Sequence, residues 1–246
     1  PQTMKHRFLV AILLGLLPAL SLVACAPNPA DDVPAAQVGS NTDAAAQPTT
    51  ESAVVTAPTI APVDDVAAGT VVAGTYPLTG TIAFRASKVT AAHYVVFNSW
   101  QGTYESDGTV TGTALNFSVD LPSLVVDEGR NEQLQKHLQS ADFFDVATYP
   151  TASFASTSIT PGVDSASFAN AAGATHTVTG VLDIHGVTKE VSFPITLTDT
   201  GTGTIGAKSS FAVNRQDFEL VYPGAPDDLI RDEVVIEVDA SMVVGG

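Results

Sequence analysis

Apolar residues recur at every second position along most of residues 80–243, and this period of two constrains the chain more than any other feature. Ile82, Phe84 and Ala86 share a face against Thr81, Arg85 and Ser87, while Leu115, Phe117, Val119 and Leu121 oppose Asn116, Ser118 and Asp120. Val187, Val191, Phe193, Ile195 and Leu197 alternate with Thr188, Glu190, Ser192 and Thr196. Val234, Ile236, Val238 and Met242 do the same against Val235, Glu237, Asp239 and Ser241. The pattern marks strands with one face on an apolar interior and one in water, which is the habit of antiparallel sheets. Turn signals separate them at Ser106-Asp107-Gly108, Pro161-Gly162 and His185-Gly186, the last tight enough for a hairpin. Closing such a meander removes its exposed edges, so the expected fold is all-β, an antiparallel barrel rather than an open sheet.

One stretch breaks the pattern. From Asn131 to about Ser140, Leu134 and Leu138 recur at i, i+4 in a run free of Gly and Pro. Asn131 can cap it, Glu132 suits the positive end of the helix dipole, and Lys136 and His137 suit the negative end. A single short helix is predicted there.

The chain ahead of the barrel has a different chemistry. With Met4 as the start, Lys5 and Arg7 precede an apolar run over residues 8–23, broken by Gly15 and Pro18. That run is short for a membrane span of about 20 apolar residues and reads as the core of a secretory signal. Leu22-Val23-Ala24-Cys25 resembles a lipobox, which implies cleavage before Cys25 and lipidation of its sulfur. Cys25 is the only cysteine, so it has no disulfide partner within the chain, and lipid would consume an otherwise unpaired thiol. Residues 1–24 are therefore expected to be a lipoprotein signal peptide and residues 67–246 one β-barrel domain. Between them, residues 25–66 are rich in Ala, Pro, Thr, Val and Asp and read as a disordered tether. As a flexible coil it would hold the barrel roughly 35 Å from the membrane. The formal charge of −16 excludes nucleic acid and anionic lipid surfaces as partners.

Several blocks of the barrel resemble a known family. Lys136-His137-Leu138-Gln139-Ser140-Ala141-Asp142-Phe143-Phe144-Asp145-Val146, followed by Tyr149-Pro150-Thr151-Ala152-Ser153-Phe154, is similar to the helix, turn and strand entry of YceI-like proteins. Val178-Thr179-Gly180-Val181-Leu182-Asp183-Ile184-His185-Gly186-Val187-Thr188-Lys189 and Lys88-Val89-Thr90 with His93 agree with it. Ala91, the aromatic run over residues 97–100 and an Ala-rich insertion around residues 168–174 depart from the family pattern. The resemblance covers about residues 80–242 and implies an extended lipocalin-like barrel that binds a polyisoprenoid or other lipid. Eight strands can enclose one slender ligand.

No catalytic constellation accompanies these features: Gly-x-Ser-x-Gly and His-Glu-x-x-His are absent, so no enzyme, metal or cofactor is expected. Gly201-Thr202-Gly203-Thr204-Ile205-Gly206 matches a dinucleotide pattern but lies among strands and reads as a turn. His176 and His185 stand an odd number of residues apart on one strand and face opposite sides. Candidate cavity residues are Phe84, Trp100, Phe117, Phe154, Phe193 and Phe211, which either line a ligand or fill a core. Candidate contacts to a polar head group are Lys88, His93, Arg130, Lys136 and His137, although His137 with Asp142 could instead secure the helix and its turn. The function expected is an exported, membrane-anchored lipoprotein facing the periplasm or cell exterior, with a long apolar ligand in its barrel for carriage or storage. The alternative is a non-catalytic surface protein that uses the barrel exterior for protein contacts.

Overall fold

A computed structural model describes residues 26–39 and 71–244. Its strands are β1 (Gln37–Val38), β2 (Gly74–Pro77), β3 (Thr79–Ser87), β4 (Ala92–Phe97), β5 (Trp100–Ser106), β6 (Ala114–Asp120), β7 (Leu124–Val126), β8 (Thr151–Pro161), β9 (His176–Ile184), β10 (Val187–Asp199), β11 (Thr204–Asn214), β12 (Gly224–Ala225), β13 (Asp228–Leu229) and β14 (Glu233–Val243). Helix α1 (Glu132–Gln139) follows β7, and the Asn131 side chain accepts the Leu134 N–H as its cap, as the sequence predicts. The β12–β13 pair stands apart, and the other twelve strands form one antiparallel sheet.

Apart from β1, that sheet makes eight passes, because three of them are each broken in two. β2 runs into β3 through Leu78, β4 into β5 through Asn98 and Ser99, and β6 into β7 through the 3₁₀ turn Leu121–Ser123. Pro122 in that turn has no N–H to give to a ladder. The two neighbouring breaks are stitched together: Asn98 N–H donates to Ser123 O, Ser99 N–H to Ser123 Oγ, and Asp120 N–H to Ser99 O. The barrel closes on the β2–β3 pass, whose first half pairs with β5 and whose second half pairs with β14. The remaining neighbours follow chain order, and β9–β10 is a hairpin turning at His185-Gly186, with Ile184 opposite Val187. Gly186 adopts φ +74°, and a Cβ there would lie 2.5 Å from the Tyr149 ring, so the turn and the Tyr149 approach both require glycine. Gly201 and Gly203 lie in the β10–β11 turn.

Residues 26–39 do not behave as the tether that their composition suggests. The β10–β11 ladder covers only Thr196 to Asp199 on β10. It stops short of Pro194, which has no N–H and whose carbonyl accepts from Ser209 Oγ at 2.6 Å. The N-terminal segment fills the gap beyond that point. Gln37 and Val38 pair with Ser192 and Val191 of β10, and Ala35 bridges Ala212 of β11. The bonds Gly39 N–H to Glu190 O, Ala36 N–H to Ala212 O and Ala212 N–H to Pro34 O are each 2.8 Å. Upstream, a 3₁₀ turn (Pro29–Asp32), capped by Asn28, packs over β3 and β14. On this side the outward-facing Ala83, Ala212 and Val235 are 1%, 5% and 1% exposed. An edge left open by a proline, flanked by small apolar side chains, is a slot that an extended segment fills chiefly through its backbone, with Pro34 buried and Ala36 and Val38 packed against the core. The signal peptide, Cys25 and residues 40–66 of the expected tether lie outside the described residues.

Candidate ligand cavity and its mouth

The alternating faces converge on a cavity of about 150 Å³ inside the barrel, whose wall is apolar apart from Ser153 and Arg215. A belt of rings crosses it from strand to strand. Phe117 on β6 meets Phe154 on β8 at 6.3 Å between centroids, Phe154 meets Phe193 on β10 at 5.2 Å, and Phe193 stacks on Phe211 of β11 at 4.1 Å and 7°. β9 lies between β8 and β10, and the belt passes it because Gly180 carries no side chain: a Cβ there would fall 2.6 Å from Phe154 Cζ. Nearer the open end, Phe84 packs with Phe97 and Phe144 at 5.8 and 5.9 Å. Such spacings suit offset or edge contacts between rings.

Five of the six cavity candidates, Phe84, Phe117, Phe154, Phe193 and Phe211, line this space. Trp100 does not: it is half-buried and reaches the wall only through Phe117, at 6.3 Å. The rings of Phe97, Phe143, Phe144 and Phe218 line the cavity as well. Phe143 and Phe144 stand in the turn after α1, where strand parity gives no signal; Phe97 ends a strand whose next residues, Asn98 and Ser99, interrupt the alternation.

Arg215 is 5% exposed, and each of its three side-chain nitrogens has an acceptor. Nε donates to Arg231 O at 3.1 Å, one terminal nitrogen to Leu220 O, and the other to Asp232 Oδ1 at 2.9 Å. It pins the excursion between β11 and β14 and leaves the cavity without a free charge, as a buried cation must be paired to be tolerated.

The cavity adjoins a mouth pocket of about 490 Å³, with which it shares Phe84, Ala86, Leu138, Phe143 and Ile230. Helix α1, the β3–β4 turn and the β12–β13 hairpin form its walls. Lys88, His93 and His137 all line it. Lys88 Nζ is bonded to Asp228, which also accepts from Thr90 N–H and Oγ1. His93 Nδ1 lies 2.8 Å from Asp127 Oδ2, and the other Asp127 oxygen accepts Tyr94 N–H at 3.1 Å. Asp127 has φ +49°, a left-handed backbone that its side-chain bonds help to hold in place. Burial opposes its charge, but the His93 and Tyr94 bonds outweigh it, and the carboxyl pKa is lowered. His137 stands edge-on to Tyr222 and Phe143, with centroids at 4.8 and 5.2 Å; its distance to Asp142, 3.9 Å, is too long for a hydrogen bond. The turn after α1 is held instead by backbone bonds such as Phe144 N–H to Leu138 O.

Arg130 and Lys136 are not brought to the mouth. Arg130 is exposed and paired with the equally exposed Glu128. Lys136 is exposed, and its immediate neighbour on the helix, His137, takes the inward direction. Ser87 is an unforeseen member: it lines the mouth, is 2% exposed, and its hydroxyl has no hydrogen-bond partner among the described residues.

Comparison with known proteins places this geometry. Relatives called UPF0312 protein from Pseudomonas putida and Pseudomonas fluorescens are 32% and 30% identical over 146 residues, 57% of this chain and 70% of theirs. Among solved structures, Burkholderia cenocepacia BcnA superposes with a TM-score of 0.52 at 20% identity, covering 65% of this chain and 95% of that one. A polyisoprenoid binding domain from Saccharophagus degradans gives 0.52 at 19% identity, covering 69% and 98%. These two share the fold. The profile of the YceI-like domain matches residues 74–242, from β2 to the end of β14, and the chain belongs to the YceI-like domain family.

Proposed function

We propose that the protein is an exported, membrane-anchored lipoprotein whose barrel carries or stores a long apolar ligand, a polyisoprenoid or another lipid. The observation that supports this most is the cavity itself: a phenylalanine-walled space whose one charge, on Arg215, has its donors engaged. Each methylene moved from water into such a wall contributes about 0.8 kcal/mol, so chain length alone can supply affinity. The inner 150 Å³ is below the roughly 300–1,000 Å³ of drug-sized sites, so it takes the end of a chain whose remainder occupies the mouth. At the mouth the Lys88 and His93 groups already face carboxylates, which suits an uncharged polar head, such as a hydroxyl beside Ser87, better than a phosphate. We assign binding and no reaction.

Organic extraction of the purified protein followed by mass spectrometry tests the reading. A stoichiometric long-chain lipid is expected; a protein that purifies and refolds with no lipid, and takes none up from a mixture of polyprenols and phospholipids, would overturn it. The anchor is tested separately with Cys25→Ser, which is expected to yield a soluble or uncleaved product lacking the lipid mass while the barrel still folds. Retention of that variant in the membrane fraction after signal cleavage would sink the anchor.

A further inference from the structure

We propose that the rim around the mouth is a membrane-docking face, so that the barrel rests mouth-down on the bilayer and exchanges ligand with it directly. This rests on the anchored-carrier reading and goes beyond it by fixing the orientation. The first observation is where the described chain begins. Ala26 N–H donates to Val89 O at 3.0 Å, and Ala26 O accepts from the Arg231 guanidinium at 2.7 Å. Both backbone groups of Ala26 are thus tied to the turns that form the rim. Cys25 is one peptide unit away, about 3.8 Å between Cα atoms, so a lipid on its sulfur enters the membrane beside the rim.

The second observation is the surface around Ala26. Val89, Val221 and Leu229 are 37%, 64% and 50% exposed and belong to the turns that border the mouth. Val89 N–H donates to Leu229 O at 3.2 Å, which joins the β3–β4 turn to the β12–β13 hairpin. Large apolar side chains presented on turn tips beside an anchor match the interfacial layer of a bilayer. The exposed Val72 and Val243 lie at the opposite end of the barrel, remote from Ala26. Lys88 on the rim is paired with Asp228, and the chain as a whole is acidic, so the complementary surface is zwitterionic rather than anionic. A ligand leaving such a bilayer enters the mouth beside the joined Val89 and Leu229 turns and moves onward to the phenylalanine wall without crossing water.

Contact quenching by brominated phosphatidylcholine tests the orientation independently of ligand content. In the full chain with Trp100→Phe, purified from membranes and reconstituted in phosphatidylcholine vesicles, Leu229→Trp and Val221→Trp are compared with Thr202→Trp at the far end of the barrel. The first two are expected to lose most of their emission when bromolipid replaces ordinary lipid, and Thr202→Trp to keep most of its own. Equal quenching at both ends, or none at the rim, overturns mouth-down docking. Lipid found on extraction but no quenching at the rim would remove the orientation and leave the carrier reading standing; quenching at the rim without extractable lipid would do the reverse.

Discussion

The cavity wall and the mouth of this barrel are a few residues apart and solve opposite problems. Along the wall, Phe117, Phe154, Phe193 and Phe211 meet ring to ring, and the charge on Arg215 is paired with Asp232. At the mouth, Lys88 and His93 face Asp228 and Asp127, and the Ser87 hydroxyl has no hydrogen-bond partner among the described residues. The wall offers area without direction, which supplies affinity for any slender apolar chain. The mouth offers directed polar groups with little net charge, so it can set the position of a head group while adding little to binding strength. Affinity and placement are therefore separable by mutation.

The largest expected effect lies in the wall. Phe193→Ala removes a 2%-exposed ring stacked on Phe211 at 4.1 Å, and should cost about 3–5 kcal/mol in denaturant unfolding of the delipidated protein. A loss below about 1 kcal/mol would mean that the wall is not a packed unit and would erase the contrast with the mouth. At the mouth, Asp127→Asn should cost about 1 kcal/mol, the scale of a partly exposed pair, and leave lipid content unchanged.

The Asp127 contribution carries a pH signature. Its folded pKa is depressed, so the stability it adds is present above the ordinary carboxylate value of about 3.9 and is lost as pH falls through the lower folded value. The stability gap between the parent and Asp127→Asn should hold from neutral pH to about 4 and then close; a gap that widens in acid would contradict the assigned pairing. The smallest stability change is expected for Phe117→Trp. Because Phe117 borders open cavity, the larger ring should cost less than about 1 kcal/mol while reducing bound lipid. A cost of about 1–3 kcal/mol with lipid content unchanged would show that Phe117 belongs to a filled core instead.

The parts of this molecule that were legible in advance are those set by local rules. Alternation over Leu115 to Asp120 placed Leu115, Phe117 and Val119 inward, and Asn131 capped α1 as its side chain dictates. The same logic erred where neighbours in space override neighbours in sequence. Val235 alternates as an outward residue, yet it is 1% exposed because the N-terminal segment lies over that side of the barrel; Ala83 and Ala212 carried the same hint. Lys136 and Arg130 looked like companions of His137 on charge alone, but the helix turns Lys136 away and Arg130 pairs with Glu128 outside the pocket. Trp100 shares the aromatic character of the wall without reaching the space it encloses.

By itself the sequence determined the family, the antiparallel strands, the capped helix and the hairpin at His185-Gly186, because side-chain alternation, capping and turn conformations act over a few residues. Only the tertiary structure decided which rings border the cavity, which cations reach the mouth, and that residues 34–39 complete the wall between β10 and β11. Those outcomes depend on where a ladder stops, at Pro194, and on which unpaired backbone groups another segment is near enough to satisfy. Backbone hydrogen bonding carries no side-chain signature, so a segment that buries only small side chains such as Pro34, Ala36 and Val38 can still be bound along its length, and composition alone reads it as free.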